Sequence, residues 1–248
     1  MNPAALSRAS KVAKVELAAR NNAHLCHSVC QAHQTPGEFH DTLWLNQLAV
    51  PRFYPNAVTL AVDHQPIQKA MIWDLLDGGL SGSWAVKDSF NQLDLDNLGF
   101  QVLFEASWLW LEPDTALPAP CDEIEWAFIN NPFDLSRWEQ AWRNSLDQPH
   151  IFVPDILFNP DIAFIAAFDH GEIIAGTIAN ASHGVVGLSN MFVPETNPEF
   201  WWQNCMAIAR HHFPDRPLVC YESGSDLDIA KTSGFSELQP LQVWLKEP

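Results

Sequence analysis

The residues best suited to do chemistry are Tyr221 and Glu222, which close a short apolar run from Pro217 and precede a helix expected over Asp226 to Thr232. Ligands of α/β sheets gather at the carboxyl edge of the strands, where this pair would stand. A glutamate there acts as a general base when partial burial lifts its pKa toward neutrality. The alternative is a solvated carboxylate that caps the next helix through Ser223-Gly224-Ser225-Asp226. Ser189 and Asn190 are further candidates, because polar residues in a buried strand require partners. A different cluster, His24, Cys26, His27, Cys30 and His33, lies near the N-terminus. Cys26, Cys30 and His33 follow i, i+4, i+7 spacing and share a helix face, a grouping that would let two or three of them approach one zinc ion. Zinc sites usually combine a turn with a second element, so buried cysteines in an alanine-rich stripe are expected and no metal is assigned.

The elements that position these residues follow from periodicity and punctuation. Leu6 to Gln34 reads as one long helix, free of Gly and Pro, with Val12, Val15, Ala19, Ala23, Cys26 and Cys30 as its apolar stripe. Leu43 to Leu48 suggests a short helix, Val58 to Val62 a strand, and Pro66 to Leu76 a helix stopped by Asp77-Gly78-Gly79. Ser83 to Val86 reads as a strand, Leu93 to Leu98 as a helical turn, and Gln101 to Leu111 as an aromatic-rich strand. Glu112 to Asp122, with three prolines, is the natural linker, so residues 1–120 and 121–248 are expected as two domains. Beyond it come a strand over Glu123 to Ile129, a helix over Leu135 to Ser145 capped by Asp134, and a loop over Phe152 to Asn159. Ala163 to Phe168 and Glu172 to Ala179 form a hairpin. Val185 to Val193, Pro198 to His212, Pro217 to Tyr221, Asp226 to Thr232 and Leu238 to Leu245 then alternate strand, helix, strand, helix, strand. The pairs Trp108/Trp110 and Trp138/Trp142 have the spacing of core-facing residues.

Two stretches correspond. Leu98-Gly99-Phe100 followed by Trp110-Leu111-Glu112-Pro113 parallels Ser233-Gly234-Phe235 followed by Trp244-Leu245-Lys246-Glu247-Pro248, which suggests a duplication with a truncated first half. The 248 residues, 47% hydrophobic and 17% charged, suffice for a substantial globular core. A formal charge of −17 repels phosphate backbones and anionic lipid, which argues against nucleic-acid or membrane partners. No signal-peptide core and no membrane-length apolar run are present, and five cysteines without a framework spacing fit a reducing compartment. A cytoplasmic protein is expected, with no sequence signature of its oligomeric state.

Three segments resemble the GNAT superfamily of N-acyltransferases: Asp169-His170-Gly171-Glu172-Ile173-Ile174-Ala175-Gly176, Phe192-Val193-Pro194-Glu195, and Ala230-Lys231-Thr232-Ser233-Gly234-Phe235. The resemblance covers about Asp122 to Leu245. It implies an α/β fold with a mixed sheet, in tandem with the truncated first copy. It further implies that backbone groups of Met191, Phe192 and Val193 bond the pantetheine arm of acetyl-CoA or another acyl-CoA, and that a small-molecule amine is acylated. On the reading of the residues above, Glu222 or a bound water would take the amine proton, with Tyr221 beside Glu222 in the chain.

The sequence departs from this family in two places. Where a Gly-containing loop cradles pyrophosphate, Glu195-Thr196-Asn197-Pro198-Glu199-Phe200-Trp201-Trp202 has neither Gly nor Arg. Pro198 removes a donor, the two glutamates oppose an anion, and the indoles restrict close approach. Asn197 and Arg210 would have to help bind the cofactor in a variant way. The family's acid, a Tyr four residues before the Gly-Phe, is Ala230 here. The alternative is therefore a non-catalytic ligand-binding or interaction protein that has lost CoA binding.

Overall fold

The computed structural model describes residues 3–79, 82–144 and 150–248. The chain divides into two compact units, Met1–Trp108 with Leu238–Pro248, and Leu109–Glu237. The Pro-rich boundary expected at residue 120 falls inside the second unit, and the C-terminal strand returns to the first.

In the first unit a long helix, α1 (Pro3–Ala32), buries Val15, Ala19, Ala23, Cys26 and Cys30 of the stripe anticipated from its spacing; Ala18 joins them, whereas Val12 is only half-buried. Strands β1 (Glu38–Phe39), β2 (Leu43–Leu45) and β3 (Ala57–Thr59) pair antiparallel in succession. The short helix expected at Leu43 to Leu48 is thus a strand. Leu43, Trp44 and Leu45 are all buried and paired with β3, Trp44 and Leu45 also with β1, and those neighbours override a weak local preference. Helix α2 (Gln65–Asp77), with Pro66 in its first turn, leads to β4 (Trp84–Asp88), which runs parallel to β3 with Ala57 opposite Val86. A 3₁₀ turn (Asp96–Leu98) precedes β5 (Gln101–Leu111), which carries the chain into the second unit.

The second unit begins with β6 (Glu125–Phe128) and α3 (Pro132–Arg143). The cap of α3 is Asn131 and not Asp134: the Asn131 side chain accepts the Asp134 N–H at 2.9 Å. The expected end of α3 at Ser145 lies outside the described residues. The expected loop over Phe152 to Asn159 contains a 3₁₀ turn, Pro154–Phe158. Strands β7 (Ile162–Asp169), β8 (Glu172–Ser182) and β9 (Val185–Phe192) form consecutive hairpins. Both hairpins turn on a His-Gly pair, His170-Gly171 and His183-Gly184, with all four residues at positive φ as a tight two-residue turn demands. Helix α4 (Pro198–His212), strand β10 (Leu218–Glu222) and helix α5 (Gly224–Thr232) follow, and β11 (Ser236–Lys246) then pairs antiparallel with β4.

Within each unit the order of neighbouring strands is β1-β2-β3-β4-β11 in the first and β10-β9-β8-β7-β6 in the second. The second core is built from Val186, Leu188, Ile165, Leu218 and Cys220 of the strands against Trp202, Met206, Ala209 and Ala230 of α4 and α5. It fixes α4 and α5 on one face of the parallel pair β9 and β10. Trp138 of α3 covers the other face, with its ring 5.2 Å from that of Phe192.

Candidate functional site

The site forms where β9 and β10 part. They pair in parallel through Leu218 opposite Val186 and Val219 opposite Gly187. Beyond that register β9 continues to Phe192 and β10 to Glu222. On its other side β9 carries a bulge. The register with β8 passes from Ile178 opposite Ser189 to Gly176 opposite Phe192, so Asn190 and Met191 together face Thr177. Asn190 adopts φ +52°, a left-handed conformation that Asn tolerates better than most residues. The Thr177 hydroxyl donates to the Ser189 carbonyl at 3.0 Å and fixes the kink. Gly176 leaves no room for a side chain: a Cβ there would meet the Ile165 carbonyl oxygen at 2.5 Å and Trp138 Nε1 at 2.6 Å. Trp138 in turn donates to that carbonyl at 2.8 Å, which locks the indole behind the bulge.

These constraints turn the end of β9 toward the opening. Val185 and Val186 are fully buried, whereas every residue from Ser189 to Phe192 is half-buried. Met191 and Val193 pack against the α4 side, and Phe192 faces Trp138 on the other. Ser189 Oγ is buried without a hydrogen-bond partner among the described residues, a polar atom left over from the protein's own bonding.

Glu222 ends β10 on the face shared with Leu218 and Cys220, by the two-residue alternation of a strand. Its carboxyl is half-buried and pushed up to about 8, first by burial and then by repulsion from the Asp226 carboxylate one turn into α5. It does not cap α5, whose cap residue is Ser223. Cys220 lies inward of Glu222, its thiol held well above the ordinary range by burial and by the nearby carboxylate. Tyr221, half-buried, points to the opposite face with Val219, so strand geometry separates Tyr221 from Glu222.

The start of α4 is poor in donors and in positive charge. Asn197 sits at φ +56°, the backbone conformation a glycine usually supplies, and its side chain makes no capping bond. Pro198 has no N–H, and the Phe200 N–H donates to the Asn197 carbonyl at 3.1 Å. This leaves at most the Glu199 amide free in the first three helical positions. The indoles do not obstruct this end as their bulk suggests: Trp202 is buried in the core, and Trp201 packs toward Trp126 with ring centroids 6.4 Å apart. Arg210 is not near this end. It stands in the last turn of α4, twelve residues and about 18 Å away at 1.5 Å per residue. Its guanidinium donates to the carbonyls of Glu112 and Thr115, fastening the Pro-rich segment.

The two N-terminal cysteines lie in the core of the first unit. Cys26 and Cys30 are buried, and burial raises both thiols, Cys30 to about 12. His27 accepts from the Trp44 indole at 3.4 Å, and among the described residues no three His, Cys, Asp or Glu side chains could hold a metal ion. No described helix is long and apolar enough to cross a membrane. The bulge is the part of the site that sequence reasoning missed, and only the polar pair Ser189-Asn190 in an apolar strand signalled it.

No protein-family model matches this chain. No curated protein matches it either. Solved structures do. A GCN5-related N-acetyltransferase from Kribbella flavida superposes with a TM-score of 0.65 over 92% of this chain and 95% of its own, at 13% identity. A tandem GNAT protein from the clavulanic acid biosynthesis pathway gives 0.55 over 83% and 79%, at 12% identity. A conserved protein of unknown function from Staphylococcus epidermidis gives 0.54 over 73% and 77%, at 14% identity.

Proposed function

Because this chain has the GNAT fold, we propose that it is an N-acyltransferase that moves an acetyl or other acyl group from an acyl-CoA-type thioester to the amine of a small molecule. The observation that carries this reading is the open end of β9 and β10, with a raised, unshared carboxyl at its rim. Backbone groups of Met191, Phe192 and Val193 hold the donor's arm, with the Asn197 side chain at its outer end. A thioester brought there supplies an electrophilic acyl carbon. Glu222, as the carboxylate, accepts a proton from the attacking amine. The new bond is C–N and the broken one C–S; the departing thiolate takes up the proton that Glu222 accepted, which releases the thiol and restores the carboxylate.

A base with a pKa of about 8 is mostly protonated at pH 7 and strong enough to relieve an ammonium ion. Acylation should therefore rise with pH up to about 8 and level above it. Binding is tested by thermal unfolding with acetyl-CoA: at 100 times its dissociation constant a ligand adds about 2.7 kcal/mol. A saturable shift supports the reading, and no shift with any acyl thioester at millimolar concentration overturns it. The donor-poor start of α4 favours a second reading in that case, a ligand-binding protein of this fold that does not use CoA.

A further inference from the structure

The charges of the second unit divide the donor into a part that this site can hold and a part that it cannot. On the proposed acyl-transfer reading, we infer that the site recognises the pantetheine thioester arm of its donor and makes no use of the nucleotide, so that any acyl-pantetheine serves equally well. The arm is an uncharged chain with two amides, and it needs extended backbone to pair with. The diverging ends of β9 and β10 provide such backbone, next to half-buried Met191 and Val193 and the unpartnered Ser189 Oγ. A nucleotide brings several negative charges and needs cations or a run of free N–H groups.

Neither is at hand. The second unit contains five Lys and Arg residues: Arg137, Arg143, Arg210, Arg216 and Lys231. Arg137 is bound to Asp134, to Glu172 and to the Gly171 carbonyl at the β7–β8 turn. Arg143 pairs with the buried Glu139 carboxylate at 3.2 Å. Arg210 fastens the Pro-rich segment, and Lys231 pairs with Glu237 at 3.0 Å. Arg216 precedes β10 and so stands at the end opposite Glu222, about 20 Å away along an extended chain. The α4 start adds Glu195 and Glu199, a missing donor at Pro198 and an inward-turned amide at Phe200. A net charge of −17 adds a long-range field of the wrong sign.

The test is isothermal titration of the full chain with acetyl-CoA, acetyl-4′-phosphopantetheine and acetyl-pantetheine, each at low and at moderate salt. The expected result is that neither phosphate-bearing donor binds more than about threefold tighter than acetyl-pantetheine, and that none weakens appreciably with salt. A tenfold or larger advantage of acetyl-CoA over acetyl-pantetheine, lost as salt rises, overturns the inference and leaves acyl transfer standing. A preference for the phosphorylated arm alone overturns it too, because it places an anion site at the end of the arm. Saturable binding of none of the three overturns the inference together with the reading on which it rests.

Discussion

The run β3-α2-β4-turn-β5 and the run β9-α4-β10-α5-β11 follow the same plan and end it differently. Each has two parallel strands flanking a helix with Pro in its first turn. Each then closes on a Gly-Phe pair with the same bonds. Gly99 and Gly234, both at positive φ, donate to the carbonyl three residues back, and Phe100 and Phe235 donate to the one five back. Each second strand ends on an acid, Asp88 in one and Glu222 in the other.

Burial raises both carboxyls, but only Asp88 has compensation. It accepts the Gln92 and Leu93 N–H groups at 2.6 Å each, the Phe90 N–H at 3.2 Å and the Thr59 hydroxyl at 3.4 Å. Thr59 also accepts the Ser89 N–H at 2.8 Å, which ties the end of β3 to the end of β4. Across from Glu222 no such tie exists among the described residues, and Asp226 repels it. One run uses its acid to close the strand ends, and the other leaves its acid at an open pair. An acid with its bonds filled is a structural part, whereas one without them stays available for proton transfer.

This contrast breaks most readily at Asp88. Asp88→Ala should cost about 3–5 kcal/mol, because three backbone donors lose their acceptor in a buried site; chemical denaturation measures it. A loss below about 1 kcal/mol would erase the distinction. Glu222→Gln should leave the fold intact while lowering acyl transfer by about 10²–10⁴-fold and flattening its dependence on pH. The same variant should change how stability responds to pH. A carboxyl raised in the folded state makes the protein most stable below the ordinary glutamate pKa, and that stability is lost as pH rises toward about 8. The slope for a single group is at most about 1.4 kcal/mol per pH unit, and Glu222→Gln should remove it.

Gly176→Ala tests whether the open pair depends on its bulge. The added Cβ would strike the Ile165 carbonyl and the Trp138 indole, so a loss of about 1–3 kcal/mol is expected in thermal unfolding, with weaker donor binding. Asp226→Asn removes one source of repulsion and should move the rise of the pH–rate profile to lower pH without greatly changing its plateau. The smallest effect belongs to Asn190→Gly, which suits a positive φ and should change stability by less than about 1 kcal/mol. A large loss there would show that the Asn190 side chain does more than tolerate the kink.

Much of this architecture was legible in the chain itself. The His170-Gly171 turn, the stripe of α1, the helix opening at Pro198 and the repeated Gly-Phe are local features, set by backbone preferences within a few residues. The resemblance to GNAT proteins rested on such features, and the fold agrees with it. Tertiary structure alone decided where distant segments meet. Leu43–Leu45 became a strand because it acquired partners on both sides, and the last strand joined β4, far from it in sequence. Met191 to Val193 carried no sign of the bulge that re-aims them, since a bulge is defined by its partner strand. The raised carboxyl at Glu222 and the filled one at Asp88 likewise depend on desolvation and on neighbours brought from elsewhere, and no spacing rule within one segment encodes those.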